Sequence, residues 1–147
     1  IVRTAWLYGP GGPSYVHTLM RMAQEGTSEV RAASDQKGCP TSTYAVAAVI
    51  RKLLRSPRLM GTLHLSCGGE ASRYDFARAV FELAGLGQKV VPCLSGEIPG
   101  SAVEPRSLKL ENRMLGMFGL PPMPDWRTAL ADFMRREFSP AAGGSVR

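Results

Sequence analysis

The glycine-rich run Gly9-Pro10-Gly11-Gly12-Pro13 is the first stretch of this chain whose residue types suggest a chemistry. A glycine loop after a strand can cradle phosphates with its backbone N–H groups. Here two prolines remove N–H groups where a pyrophosphate would meet them, and the spacing departs from G-x-G-x-x-G, so the run fails as a dinucleotide fingerprint. Further on, Asp35, Gln36 and Thr41 bring acceptors and donors to a loop stiffened by Pro40. Such side chains suit a sugar or a phosphate, and the same segment reads equally as a helix N-cap region, with Thr41 or Ser42 as the cap. Gly38, inside that loop, is expected to take a backbone angle that other residues resist. Cys39, Cys67 and Cys93 form no Cys-x-x-Cys pair, and neither His17 nor His64 has a metal-ligand neighbour at a usual spacing, so no metal site and no cysteine nucleophile is expected. His17 is expected on the surface at a helix start.

These residues must be placed by a regular alternation of elements. Ile1–Tyr8, rich in β-branched and aromatic residues, reads as a strand running into the glycine loop. Ser14 is expected to cap a helix with Val16, Leu19, Met20 and Ala23 on one face, ended by Gly26. Glu29–Ala33 reads as a short strand. The next helix buries Val46, Val49, Ile50, Leu53 and Leu54, with Pro57 closing it. Thr62–Cys67 alternates, with Leu63, Leu65 and Cys67 inward and Thr62, His64 and Ser66 outward. Ser72 and Asp75 start a helix that buries Phe76, Val80, Leu83 and Ala84 and stops at Gly85. Val90–Leu94 is a strand that Pro92 consigns to an edge. Residues 95–107 read as a loop, 110–118 as a short helix, and Asp125 caps a final helix burying Trp126, Leu130, Phe133 and Met134. The fold class is α/β: a partial, mainly parallel sheet with flanking helices over 1–138, then a disordered tail over 139–147.

The chain has 147 residues, 44% hydrophobic and 20% charged, an ordinary globular balance. No apolar run spans a membrane, and odd, scattered cysteines point to a reducing, cytoplasmic compartment. The charge of +6 is uneven. Residues 1–60 hold eight Lys/Arg against three Asp/Glu; the rest hold ten against nine. A basic first segment attracts phosphate-bearing ligands, but without aromatic interleaving nucleic acid is not the expected partner.

Five segments in order carry a resemblance: Arg3-Thr4-Ala5-Trp6-Leu7-Tyr8-Gly9, Asp35-Gln36-Lys37-Gly38-Cys39-Pro40-Thr41, Gly61-Thr62-Leu63-His64-Leu65-Ser66, Ser72-Arg73-Tyr74-Asp75-Phe76-Ala77 and Pro124-Asp125-Trp126-Arg127-Thr128-Ala129-Leu130. In this order they resemble the dTDP-4-dehydrorhamnose reductases, extended short-chain dehydrogenases/reductases, over residues 1 to about 138. The family reduces the 4-keto group of a dTDP-sugar with NADPH or NADH. Its N-terminal half is a Rossmann domain carrying the glycine fingerprint and a Tyr-x-x-x-Lys proton donor. Four residues after Tyr8, Tyr15, Tyr44 and Tyr74 stand Gly12, Leu19, Ala48 and Arg78, never lysine. The resemblance therefore implies the C-terminal, substrate-binding half alone, with no catalytic residue and no cofactor of its own. It implies a substrate pocket from Trp6, Asp35, Gln36, Gly38, Pro40, Thr41 and Arg106, and places Thr4 and Ala5 at the cofactor if a Rossmann half is supplied. An indole such as Trp6 can stack on a base, worth about 1–3 kcal/mol.

Two departures weaken the implied dTDP-sugar site. Ser14-Tyr15 stands where the family has Asn-Phe, and Glu104 stands where it has an arginine. A carboxylate repels a diphosphate, which leaves Arg106, two residues on, to compensate. Other readings differ in class. An interaction module would dimerise or recruit a missing Rossmann half through the exposed edge of its first strand. A weak nucleic-acid binder would show steep salt dependence.

Overall fold

The computed structural model describes residues 1–55, 61–99 and 105–138. Pro57, Glu104 and the tail expected to be disordered lie outside them. Each helix follows from its apolar spacing. α1 (Tyr15–Gln24) buries Val16 and Leu19; α2 (Thr43–Leu53) buries Val46 and Val49. α3 (Arg73–Leu83) starts at a capping box in which the Ser72 hydroxyl accepts from the Asp75 N–H and the Asp75 carboxylate accepts from the Ser72 N–H. α4 (Arg113–Met117) is one short turn, and α5 (Trp126–Glu137) begins where Asp125 accepts from the Arg127 N–H at 2.9 Å.

The strands are shorter than the sequence suggests. The expected strand over residues 1–8 is two, β1 (Val2–Arg3) and β2 (Leu7–Tyr8). Trp6 causes the break: its φ of +48° turns the chain out of extended geometry. β3 (Glu29–Ala33) matches its expected span, while β4 (Lys37–Gly38) and β5 (Thr41–Ser42) lie within the polar loop. The Thr62–Cys67 stretch keeps ladder pairing only at β6 (Leu63–His64), followed by β7 (Ala71–Ser72), β8 (Lys89–Cys93) and β9 (Ser107–Leu108). The expected loop over 95–107 thus ends in a strand, after a single 3-10 turn at Ser95–Glu97.

Pairing is parallel for β1–β6, β2–β5, β3–β8 and β4–β9, and antiparallel for β4–β7. The expected mainly parallel arrangement holds, but as four small sheets rather than one. β3–β8 is the longest ladder, running from Glu29↔Lys89 to Ala33↔Cys93. Pro92 sits opposite Ala32 and is exposed, consistent with an edge strand.

One core joins these pieces. Tyr8, Phe76 and Phe133 meet with ring centroids 5.4 and 5.2 Å apart, and Trp126 closes on Phe76 at 5.9 Å. Four expectations change at its margins. The buried face of α3 centres on Phe76, Ala77, Val80 and Phe81, which rotates Leu83 outward to 45% exposure. Leu54 caps the end of α2 beyond the core and is 79% exposed. Ser66, expected outward, is buried and donates to the Leu110 carbonyl at 2.9 Å. His17 is half-buried against Phe133, and the Ser14 hydroxyl pairs with its Nδ1 at 2.8 Å instead of capping α1.

Candidate functional site

The break between β1 and β2 is also where the implied pocket residues gather. Turning at Trp6 lets its carbonyl accept the Thr41 N–H at 3.0 Å, next to the parallel β2–β5 pairing. The indole then lies across β4. A Cβ on Gly38 would come within 2.8 Å of ring atoms Cδ2 and Cε2. Gly38 does not have a positive φ, so the expected unusual backbone angle gives way to a different need. Only a residue without a side chain lets the indole sit this close.

Two further residues build on Trp6. The guanidinium of Arg73, the first residue of α3, lies over the indole at 4.0 Å from its centroid. The same guanidinium is 5.1 Å from the ring of Tyr15, which stacks on Phe76 with centroids 6.2 Å apart. Burial raises the Tyr15 pKa, only partly countered by Arg73. The phenol therefore stays protonated at neutral pH and can donate a hydrogen bond.

Asp35 and Arg106 form a second group. The Asp35 carboxylate accepts from the Ser95 N–H at 2.8 Å and the Ser95 hydroxyl at 3.0 Å. The backbone bond from Ser95 is the main cause holding its pKa below the usual carboxylate value, and the charge of Arg106 adds to it. The Arg106 carbonyl accepts from the Lys37 N–H at 2.8 Å, which pins 105–108 beside β4. The Arg106 side chain itself is exposed.

Of the remaining implied residues, Thr41 serves the backbone. Thr41 is fully buried; its hydroxyl donates to the Cys39 carbonyl at 2.7 Å and accepts from the Cys67 N–H at 3.2 Å. Pro40 and Gln36 are buried as well. Ser42, not Thr41, caps α2, accepting from the Tyr44 N–H at 3.3 Å. Burial pushes the Cys39 and Cys67 thiols up, away from thiolate reactivity. Gly9, in the glycine run, packs onto α2, where a Cβ would lie 1.9 Å from Thr43 Oγ1. Thr4 Oγ1 and Trp6 Nε1 are buried without a hydrogen-bond partner among the described residues.

The structure thus brings Trp6, Gly38 and Thr41 together and holds the Asp35 carboxylate on Ser95, under the charge of Arg106. Arg73 is not among the residues the resemblance implies, and Tyr15 enters that reading only as a departure from the family's Asn-Phe pair. A cation in a helix's first turn opposes the macrodipole. An arginine directly after the cap Ser72 is therefore a sequence sign of a tertiary partner.

Comparison with known proteins agrees with this fold. The RmlD substrate binding domain matches residues 1–138. The spore coat polysaccharide biosynthesis protein SpsK of Bacillus subtilis (strain 168) is 34% identical over 95% of this chain and 48% of its own length. The dTDP-4-dehydrorhamnose reductase of Mycolicibacterium smegmatis is 37% identical over 90% of this chain and 41% of its own. The crystal structure of dTDP-4-dehydrorhamnose reductase from Bacillus anthracis str. Ames, in complex with NADP, superposes with a TM-score of 0.86 at 34% identity, over 90% of this chain and 47% of that one. The chain spans about half the length of the curated relatives it matches. With the family matched across nearly all its residues and the fold shared with solved relatives, this chain belongs to the RmlD substrate-binding-domain family.

Proposed function

We propose that this chain is the nucleotide-sugar-binding portion of a reductase acting on a dTDP-4-keto-6-deoxy sugar, and that it does not turn over by itself. The observation that carries this reading is the family match over residues 1–138. The cluster of Trp6, Gly38, Arg73 and Tyr15 supports it by offering a cation fixed on aromatic rings, a surface suited to a nucleotide.

The family implies NADPH or NADH, and the described residues do not fit a dinucleotide. Gly9 is packed on Thr43, and Pro10 and Pro13 carry no N–H, so the run offers no continuous cradle of N–H groups to a pyrophosphate. The orphaned Thr4 hydroxyl, beside Ala5, is a single polar contact for a cofactor held by another half. The contribution assigned to this chain is binding and orienting the sugar nucleotide.

The test is NADPH oxidation with a dTDP-4-keto-6-deoxy sugar, first with the chain alone and then with a Rossmann half carrying Tyr-x-x-x-Lys. No turnover alone and turnover on mixing are expected. Turnover by the chain alone overturns the reading.

A second reading, an interaction module, draws on exposed apolar residues of the first strands. Ile1, Val2 and Leu7 are exposed, and β1 and β2 each have one paired neighbour among the described residues. It expects a homodimer or a bound Rossmann half, and light scattering showing a monomer at every concentration removes it.

A further inference from the structure

Gly38 and Arg73 occupy opposite faces of the Trp6 indole. The position of a Cβ on Gly38 finds Trp6 Cδ2, Cε2 and Cε3 at 2.8, 2.8 and 3.2 Å as its nearest atoms. The Gly38 backbone therefore covers one face directly. A guanidinium 4.0 Å from the ring centroid on that same face would crowd into this space, and no Arg73 atom is among those nearest atoms. Arg73 lies on the other face. A base stacking on Trp6 finds no bare face unless Arg73 moves away.

The residue on the face away from Gly38 is then Arg73, which is half-buried. Its Cζ lies 4.0 Å from the Trp6 ring centroid and 5.1 Å from that of Tyr15, and a guanidinium's N–H donors all lie in its own plane. A guanidinium carries five such donors, enough to hold a partner within the protein and a ligand oxyanion together. Its planar fork matches two phosphate oxygens. Arg106 is the poorer candidate, because its side chain is exposed and its charge acts on Asp35.

We propose that Arg73 is the specificity-determining residue of this site, its guanidinium receiving the phosphate oxygens of a nucleoside diphosphate while Trp6 serves as its platform and not as a base-stacking surface. This rests on the nucleotide-sugar reading above, and names the group that meets the anion.

Calorimetric titration of the chain, Arg73→Lys and Arg73→Ala with dTDP, thymidine and inorganic pyrophosphate tests it. Arg73→Ala should weaken dTDP and pyrophosphate alike, by about tenfold to a hundredfold. Arg73→Lys, which keeps the charge and leaves the α3 cap in place, should also weaken both, since an ammonium lacks the planar fork. Thymidine affinity should be the same for all three proteins. Unchanged or tighter dTDP binding in Arg73→Ala overturns the assignment and leaves the nucleotide-sugar reading standing. Arg73-dependent pyrophosphate binding with dTDP no tighter upholds the assignment and overturns the nucleoside part of the reading. Binding of neither dTDP nor pyrophosphate by the unaltered chain overturns both.

Discussion

Two residues at the core and the site show how one atom decides a position. At Gly38 the missing Cβ is what admits the Trp6 indole. Gly38→Ala should therefore push the ring off β4 and cost about 1–3 kcal/mol, an overpacking penalty, read by urea unfolding together with a shift in tryptophan emission. Tyr8 works in the opposite direction. Its ring is buried between Phe76 and Phe133, and its hydroxyl has no hydrogen-bond partner among the described residues. Burial, with smaller contributions from Cys67 and Asp132, raises its pKa far above the usual phenol value. Tyr8→Phe removes an unsatisfied group and should leave stability unchanged or raise it by about 1 kcal/mol in the same assay.

At the scale of the element, α3 carries the most information, because the helix that places Arg73 begins at a reciprocal cap. Ser72→Ala should cost about 1 kcal/mol. The Asp75 half of the cap is sensitive to acid. Burial pushes its pKa up, but hydrogen bonds from the Ser72 hydroxyl and N–H, with Arg127 and Arg78 nearby, outweigh burial and leave it lowered. A lowered folded-state pKa means stability that is present above the unfolded carboxylate value and lost as pH falls through the folded one. Unfolding midpoints should therefore fall below about pH 4, and Asp75→Asn should flatten that part of the profile. Equal slopes in the two proteins would remove Asp75 from the acid response.

Over the whole molecule, four small sheets share no common ladder, so cohesion falls to the aromatic core. Phe133, fully buried on α5, touches Tyr8, Tyr44, His17 and Phe138. Phe133→Ala should cost about 3–5 kcal/mol, a large share of a typical domain's stability, and lower the protection of amides in every sheet. Leu83→Ala, at a position the helical period marks as buried but the fold leaves 45% exposed, should stay within about 0.5 kcal/mol. Matching losses for the two variants would show that the aromatic cluster does not hold the sheets together.

By itself the sequence determined what local spacing controls. Four helices and the Glu29–Ala33 strand follow from apolar period and from caps at Ser72 and Asp125, signals written within a few residues of one another. The family was equally legible, since ordered motifs do not depend on knowing where they meet. Tertiary structure alone decided the rest. The strand over residues 1–8 is divided at Trp6 because the indole is drawn onto Gly38, and that pairing joins residues 32 positions apart. Asp35 and Thr41, whose side chains suited a ligand by type, are held by Ser95, Cys39 and Cys67. Arg73 enters the site only because α3 carries it over Trp6 and Tyr15. A side chain's chemistry is set by its residue type, but its partners are set by which surfaces the core brings together, and here those partners come from distant parts of the chain.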